Sequence, residues 1–77
     1  MKIVVYGLGI IGASVAASLK KAGHTVLGKN RSRESIDYAV EHAMIDGEAD
    51  GYEGADVIVL ALPPYLTAQL LAEGSFP

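Results

Sequence analysis

The chain has 77 residues, a formal net charge of −3, 51% hydrophobic residues and no cysteine. That length suits one small domain or a piece of a larger one, with a thin core and neither disulfides nor thiolate metal sites to reinforce it. Mild acidity argues against nucleic-acid binding and no apolar run nears the roughly 20 residues that cross a bilayer, so a cytoplasmic chain with neither partner is expected.

Lys2 to Tyr6 is a β-branched and aromatic run ended by glycine, which predicts a strand. It lacks in/out alternation, as a strand of a parallel sheet buried on both faces does. Ile10 to Ala22 predicts an alanine-rich helix, ended by Gly23 in a left-handed conformation. Thr25 to Gly28 reads as a second, shorter strand. Ser32 can cap a second helix, with Glu34 in its first turn and Ile36, Ala39, Val40 and Ala43 on one apolar face. Met44-Ile45 reads as a brief third strand, and Asp46 to Gly54 as a solvated acidic loop on the rim of the sheet.

Asp56 to Leu62, DVIVLAL, is the strongest strand signal, almost wholly apolar and therefore expected at the centre. Pro63-Pro64 breaks it, and Tyr65 to Glu73 predicts a short helix with Gly74 past its end. Gly74-Ser75-Phe76-Pro77 reads as a loop leading to a further strand, so a fragment is expected. The order β-α-β-α-(β)-β-α implies an α/β architecture, a parallel sheet with right-handed crossovers.

Gly7-Leu8-Gly9-Ile10-Ile11-Gly12 fits G-x-G-x-x-G in its proper setting, with a strand before it, a helix after it and a second strand beyond. Each glycine has a separate role: Gly7 permits the tight turn, Gly9 lets the backbone approach a pyrophosphate, and Gly12 lets the helix pack close to the sheet. The backbone N–H groups of Gly9 to Ile11, aided by the helix dipole, face the phosphates. A tight turn alone would not require all three glycines. The expected fold is a Rossmann-type sheet, truncated to about half of a dinucleotide-binding domain.

The second strand ends near Lys29-Asn30, where an NAD site usually places a carboxylate on the ribose hydroxyls. Asn30 removes that charge and keeps hydrogen-bonding ability. Arg31 can stack on adenine or fork a phosphate, Ser32 adds a hydroxyl at a helix start, and Arg33 is a further candidate. The bland alternative is a solvated helix start. The expected cofactor is NADP in preference to NAD.

Gly7 to Ser14 followed by Ser18-Leu19-Lys20, the segment AVEHAMID (39–46) and the strand ADVIVLALP (55–63) together resemble prephenate and arogenate dehydrogenases of tyrosine biosynthesis. The likeness spans nearly the whole chain but only the amino-terminal half of that family's cofactor domain. It implies an NAD(P)-dependent enzyme that decarboxylates prephenate or arogenate oxidatively, homodimeric at full length. The family's catalytic histidine and carboxylate-binding residues would then lie beyond residue 77, so no catalytic residue is assigned and the chain alone is expected to be inactive. Family members often carry Asp where Asn30 stands. Lys21 to Val26 with Asn30-Arg31-Ser32 is similar to β-hydroxyacid dehydrogenases, a second possibility; a non-catalytic dinucleotide-binding module is a third.

Leu62-Pro63-Pro64 leaves the carboxyl end of its strand at the expected switch point, and either borders the cofactor or merely ends the strand. His24 and His42 are far apart and read as structural. Asp46-Gly47-Glu48-Ala49-Asp50-Gly51 imitates half of a calcium loop, but its twelfth position is Val57 rather than a bidentate Glu, so no metal site is expected.

Overall fold

The computed structural model of the chain describes residues 1–62. Strands and helices alternate as β1 (Lys2–Tyr6), α1 (Ile10–Lys21), β2 (Thr25–Lys29), α2 (Arg33–Glu41), β3 (Gly47–Glu48) and β4 (Val57–Leu60). All strand pairs are parallel, in the order β3-β2-β1-β4. The order of the strands reverses between β1 and β4, so the switch point lies there, as the sequence implied. Pro63, Pro64 and the helix expected over Tyr65 to Glu73 lie outside the described residues. No helix among the described residues is long and apolar enough to cross a membrane.

β1 lies in the middle, registered along Lys2 to Tyr6 with β2 and along Ile3 to Tyr6 with β4. Its Ile3, Val4 and Val5 are buried, which explains their lack of alternation. Ile3, Val5 and Val26 project to one face, where Ala16 of α1 and Ile36 and Ala39 of α2 pack on them. One helical layer therefore covers one face of the sheet.

Both helices end in the same hydrogen-bond pattern. After α1, the Gly23 N–H donates to Lys20 O at 3.0 Å and the His24 N–H to Leu19 O at 3.2 Å, with Gly23 at φ +100°. This is a Schellman motif, and glycine accepts its left-handed residue without strain. After α2, Ala43 donates to Val40 O at 3.1 Å and Met44 to Ala39 O at 2.8 Å, but here Ala43 itself adopts φ 55°. Ala43 thus ends α2, rather than extending its apolar face.

Two expectations about the strands need correction. The third strand is Gly47–Glu48, not Met44-Ile45. Ile45 contributes by packing, 2% exposed, in the helical core, while pairing begins one residue further on. The Asp46 N–H donates to Val26 O, its carboxylate accepts from the Val26 N–H, both at 2.7 Å, and the Ala49 N–H donates to Gly28 O at 2.8 Å. The first part, 46–49, of the loop expected to be solvated over Asp46 to Gly54 is therefore the sheet's edge, with Ala49 buried. Second, β4 pairs with β1 alone among the described residues, so the apolar strand expected at the centre borders the described sheet and β1 holds the middle.

Candidate coenzyme site

The carboxyl ends of β1 and β2 and the amino end of α1 meet at the glycine turn. Gly7 has φ +102°, and a Cβ built on it would lie 2.4 Å from the Ala61 carbonyl oxygen. A Cβ on Gly12 would lie 1.7 Å from the Gly7 carbonyl oxygen, so α1 crosses the turn in backbone contact. Both glycines are required by the chain's own packing.

Gly9 is different. Its φ of −69° and ψ of −169° suit any residue, and a Cβ there would meet nothing within 4 Å among the described residues. As the N-cap of α1 it is a weaker choice than Ser or Asp, whose side chains would bind the first N–H groups. The helix has no side-chain cap and no acid in its first turn, so its N-terminal dipole is left uncompensated by any side chain. Ile10 and Ile11, 90% and 76% exposed, flank this bare end. A cleft of about 540 Å³ runs from Leu8, Gly9 and Ile10 to Glu34 and Ser35 at the start of α2. A residue whose side chain would obstruct nothing internal, at an uncapped helix end beside a cleft, fits a backbone that an anion approaches closely.

Asn30 ties this turn to the next one. Its Oδ1 accepts the Leu8 N–H at 3.0 Å, inside the glycine motif, and its Nδ2 reaches Ser32 O at 3.4 Å. The Gly7 N–H donates to Lys29 O at 2.8 Å, a second tie between the two strand ends. Ser32 caps α2 as expected, accepting the Ser35 N–H on its hydroxyl at 3.4 Å, and Glu34 stands in the first turn. Gly28, placed in the sequence only as the end of a strand, has a packing role: a Cβ there would come within 2.8 Å of both Leu8 and Ile45 side chains.

The basic residues at this corner are not equivalent. Arg31 is exposed and forms no ion pair among the described residues. Arg33 directs both terminal nitrogens at Glu48 Oε1, at 2.7 and 2.6 Å, with Asp37 at 3.9 Å. Lys29 lies 5.8 Å from the ring centres of both Tyr6 and Tyr52, which stack on each other at 6.3 Å. Burial, and secondarily the neighbouring Tyr6, raises the Tyr52 phenol above its ordinary pKa. Tyr6 and Tyr52 went unassigned in the sequence reading, and so did Glu48 as an ion-pair partner; no spacing rule joins residues so far apart along the chain.

Gly7 to Gly12, Asn30, Arg31 and Ser32 are thus brought to one end of the sheet, with Leu62 close to the turn: its Cδ2 would be 3.1 Å from a Cβ on Gly7. The histidines lie elsewhere. His24 Nδ1 is 3.4 Å from the Met1 amine beyond the opposite end of β1, and His42 stacks on Tyr38 at 3.9 Å in α2. Among the described residues no cluster of His, Cys, Asp or Glu is arranged to hold a metal.

A family model described as "NADP oxidoreductase coenzyme F420-dependent" matches residues 2–76. The chain is 38% identical to a prephenate dehydrogenase of Lactococcus lactis subsp. cremoris (strain MG1363), over 94% of this chain and 22% of that protein. It is 34% identical to a prephenate dehydrogenase of Bacillus subtilis (strain 168), over 92% of this chain and 21% of that protein. Its fold superposes on the crystal structure of Synechocystis arogenate dehydrogenase with a TM-score of 0.87 at 36% identity, over 95% of this chain and 27% of that one. The chain spans about a fifth of the length of the curated relatives it matches. The resemblance read from the glycine turn and the 55–63 strand is borne out, and so is the Rossmann-type parallel sheet. Matched from its second residue almost to its last, the chain belongs to the family of coenzyme F420-dependent NADP oxidoreductases.

Proposed function

We propose that this chain is the coenzyme-binding part of an NADP-preferring dehydrogenase that oxidatively decarboxylates prephenate or arogenate. The observation that carries the binding half is Gly9, a glycine that neither conformation nor internal packing demands, at an uncapped helix end. The dinucleotide's diphosphate lies over Gly9 to Ile11, while Asn30, Arg31 and Ser32 receive the adenosine ribose and its 2′-phosphate. Leu62, two residues past β4 and close to the turn, flanks the cofactor from that side. The chemistry the coenzyme supplies is hydride acceptance at its nicotinamide; the residues of this chain bind and orient it. The substrate reading rests on the relatives' names and on the 34–38% identity to them.

Preference for NADP follows from charge. A carboxylate in place of Asn30 would repel a 2′-phosphate, whereas Asn30 is neutral and the next residue, Arg31, is a cation with no ion pair among the described residues. Calorimetric titration of the full-length protein should give tighter binding of NADP than of NAD, and a coupled assay should show turnover of prephenate or arogenate. Binding of NAD at least as tight as NADP would overturn the coenzyme preference. Asn30→Asp keeps the oxygen that accepts the Leu8 N–H, gives up the long 3.4 Å bond from Nδ2 to Ser32 O and adds a charge, so it should shift preference toward NAD by about tenfold, roughly the 1.4 kcal/mol expected of one added charge near an anion.

A further inference from the structure

Three cations gather at and just past the end of β2, and two are already engaged. Lys29 sits against the Tyr6 and Tyr52 rings, and Arg33 against Glu48. From this we infer that Glu48 is a specificity-determining residue, withholding Arg33 from the coenzyme so that Arg31 alone discriminates the phosphorylated from the unphosphorylated form. The inference rests on the coenzyme-binding reading above.

Glu48 is fixed by its backbone. It is the register partner of Gly28 in the β2–β3 ladder, and the following Ala49 N–H binds Gly28 O at 2.8 Å. Its carboxylate therefore stands beside the end of β2, two residues from Asn30 in the neighbouring strand's chain. Arg33 is the first residue of α2, where the helix dipole disfavours a cation. Two acids hold it there against that dipole. Both terminal nitrogens converge on the single Glu48 oxygen, and Nε approaches Asp37. A guanidinium committed in this way presents little net charge to an incoming phosphate, because the acid beside it cancels the field. Among the described residues Arg31 has no such acid.

The pair is 57% and 44% exposed, so water and salt weaken it and its effect on affinity is modest. In the full-length protein, Glu48→Gln releases Arg33 and removes a negative charge from the corner. Calorimetric Kd values should then show NADP bound about two- to five-fold tighter, the range of an exposed ion pair, with NAD unchanged. Adding Arg33→Ala to that variant should abolish the gain, and Arg33→Ala alone should weaken NADP by a similar factor by leaving Glu48 uncovered. An unchanged NADP affinity in Glu48→Gln overturns the inference, marking the pair as mere surface. Weaker NADP binding also overturns it, since Glu48 would then be aiming Arg33 at the phosphate. A wild-type protein that binds neither coenzyme removes the underlying reading, and this inference with it.

Discussion

The three glycines of one motif answer to different demands. Gly7 and Gly12 are fixed by contacts with Ala61 and with each other, while a Cβ on Gly9 would meet none of the described atoms within 4 Å. Gly12→Ala forces a methyl group onto the Gly7 carbonyl and should cost about 3 kcal/mol of stability, at the upper end of overpacking penalties. Gly9→Ala should cost at most about 1 kcal/mol, the ordinary difference between these residues at an N-cap. The same variant should weaken coenzyme binding at least tenfold. Denaturant melts and titrations of the two variants would expose the difference; an alanine at position 9 that binds normally would return the motif to a plain turn. The pattern G-x-G-x-x-G was legible in the sequence, but which glycine serves the fold and which is free to serve a ligand was not. That distinction depends on what lies across the turn, and Ala61 is distant along the chain.

At the scale of elements, the start of α2 and the end of α1 were the most legible features and the third strand the least. Ser32 capped α2 where expected, because an N-cap is a local hydrogen bond between residues three apart. Gly23 closed α1 for the same kind of local reason. α2 closes on Ala43, which takes the left-handed conformation at a cost that glycine avoids. Ala43→Gly should raise stability by about 1 kcal/mol, read as a later urea midpoint at an unchanged slope. β3 escaped the sequence because it has only two paired residues, Gly47 and Glu48, neither a strand former. What makes it a strand is its neighbour: β2 offers Val26 and Gly28 carbonyls, and the backbone of Asp46 and Ala49 accepts the offer by donating to them. Lys20 of α1 then adds an ion pair to Asp46 at 3.6 Å.

Across the whole molecule, one face of the sheet carries the helical layer and the other carries Tyr6, Lys29 and Tyr52 near the carboxyl ends of the strands. Because folding raises the Tyr52 pKa, the folded chain holds that proton more tightly than the unfolded chain. Its contribution to stability is complete below the usual phenol pKa of about 10 and is lost as pH rises through the folded value. Melting temperatures should therefore fall above about pH 10, and Tyr52→Phe should lessen that fall. An identical alkaline profile in the phenylalanine variant would refute the assignment.

By itself the amino-acid sequence determined the alternation of strand and helix, the glycine turn, the caps at Ser32 and Gly23 and the neutral residue at position 30. Each is written in residues adjacent on the chain or one helical turn apart, where local sterics and hydrogen bonding act. Only the tertiary structure decided that β3 forms at Gly47, that β1 holds the centre of the described sheet, that Asn30 ties itself to the Leu8 N–H, and that Glu48 takes Arg33 while no acid among the described residues pairs with Arg31. These depend on parallel strands laying distant segments side by side. A parallel sheet brings its partners together across a whole crossover, so no local pattern records which charge will meet which.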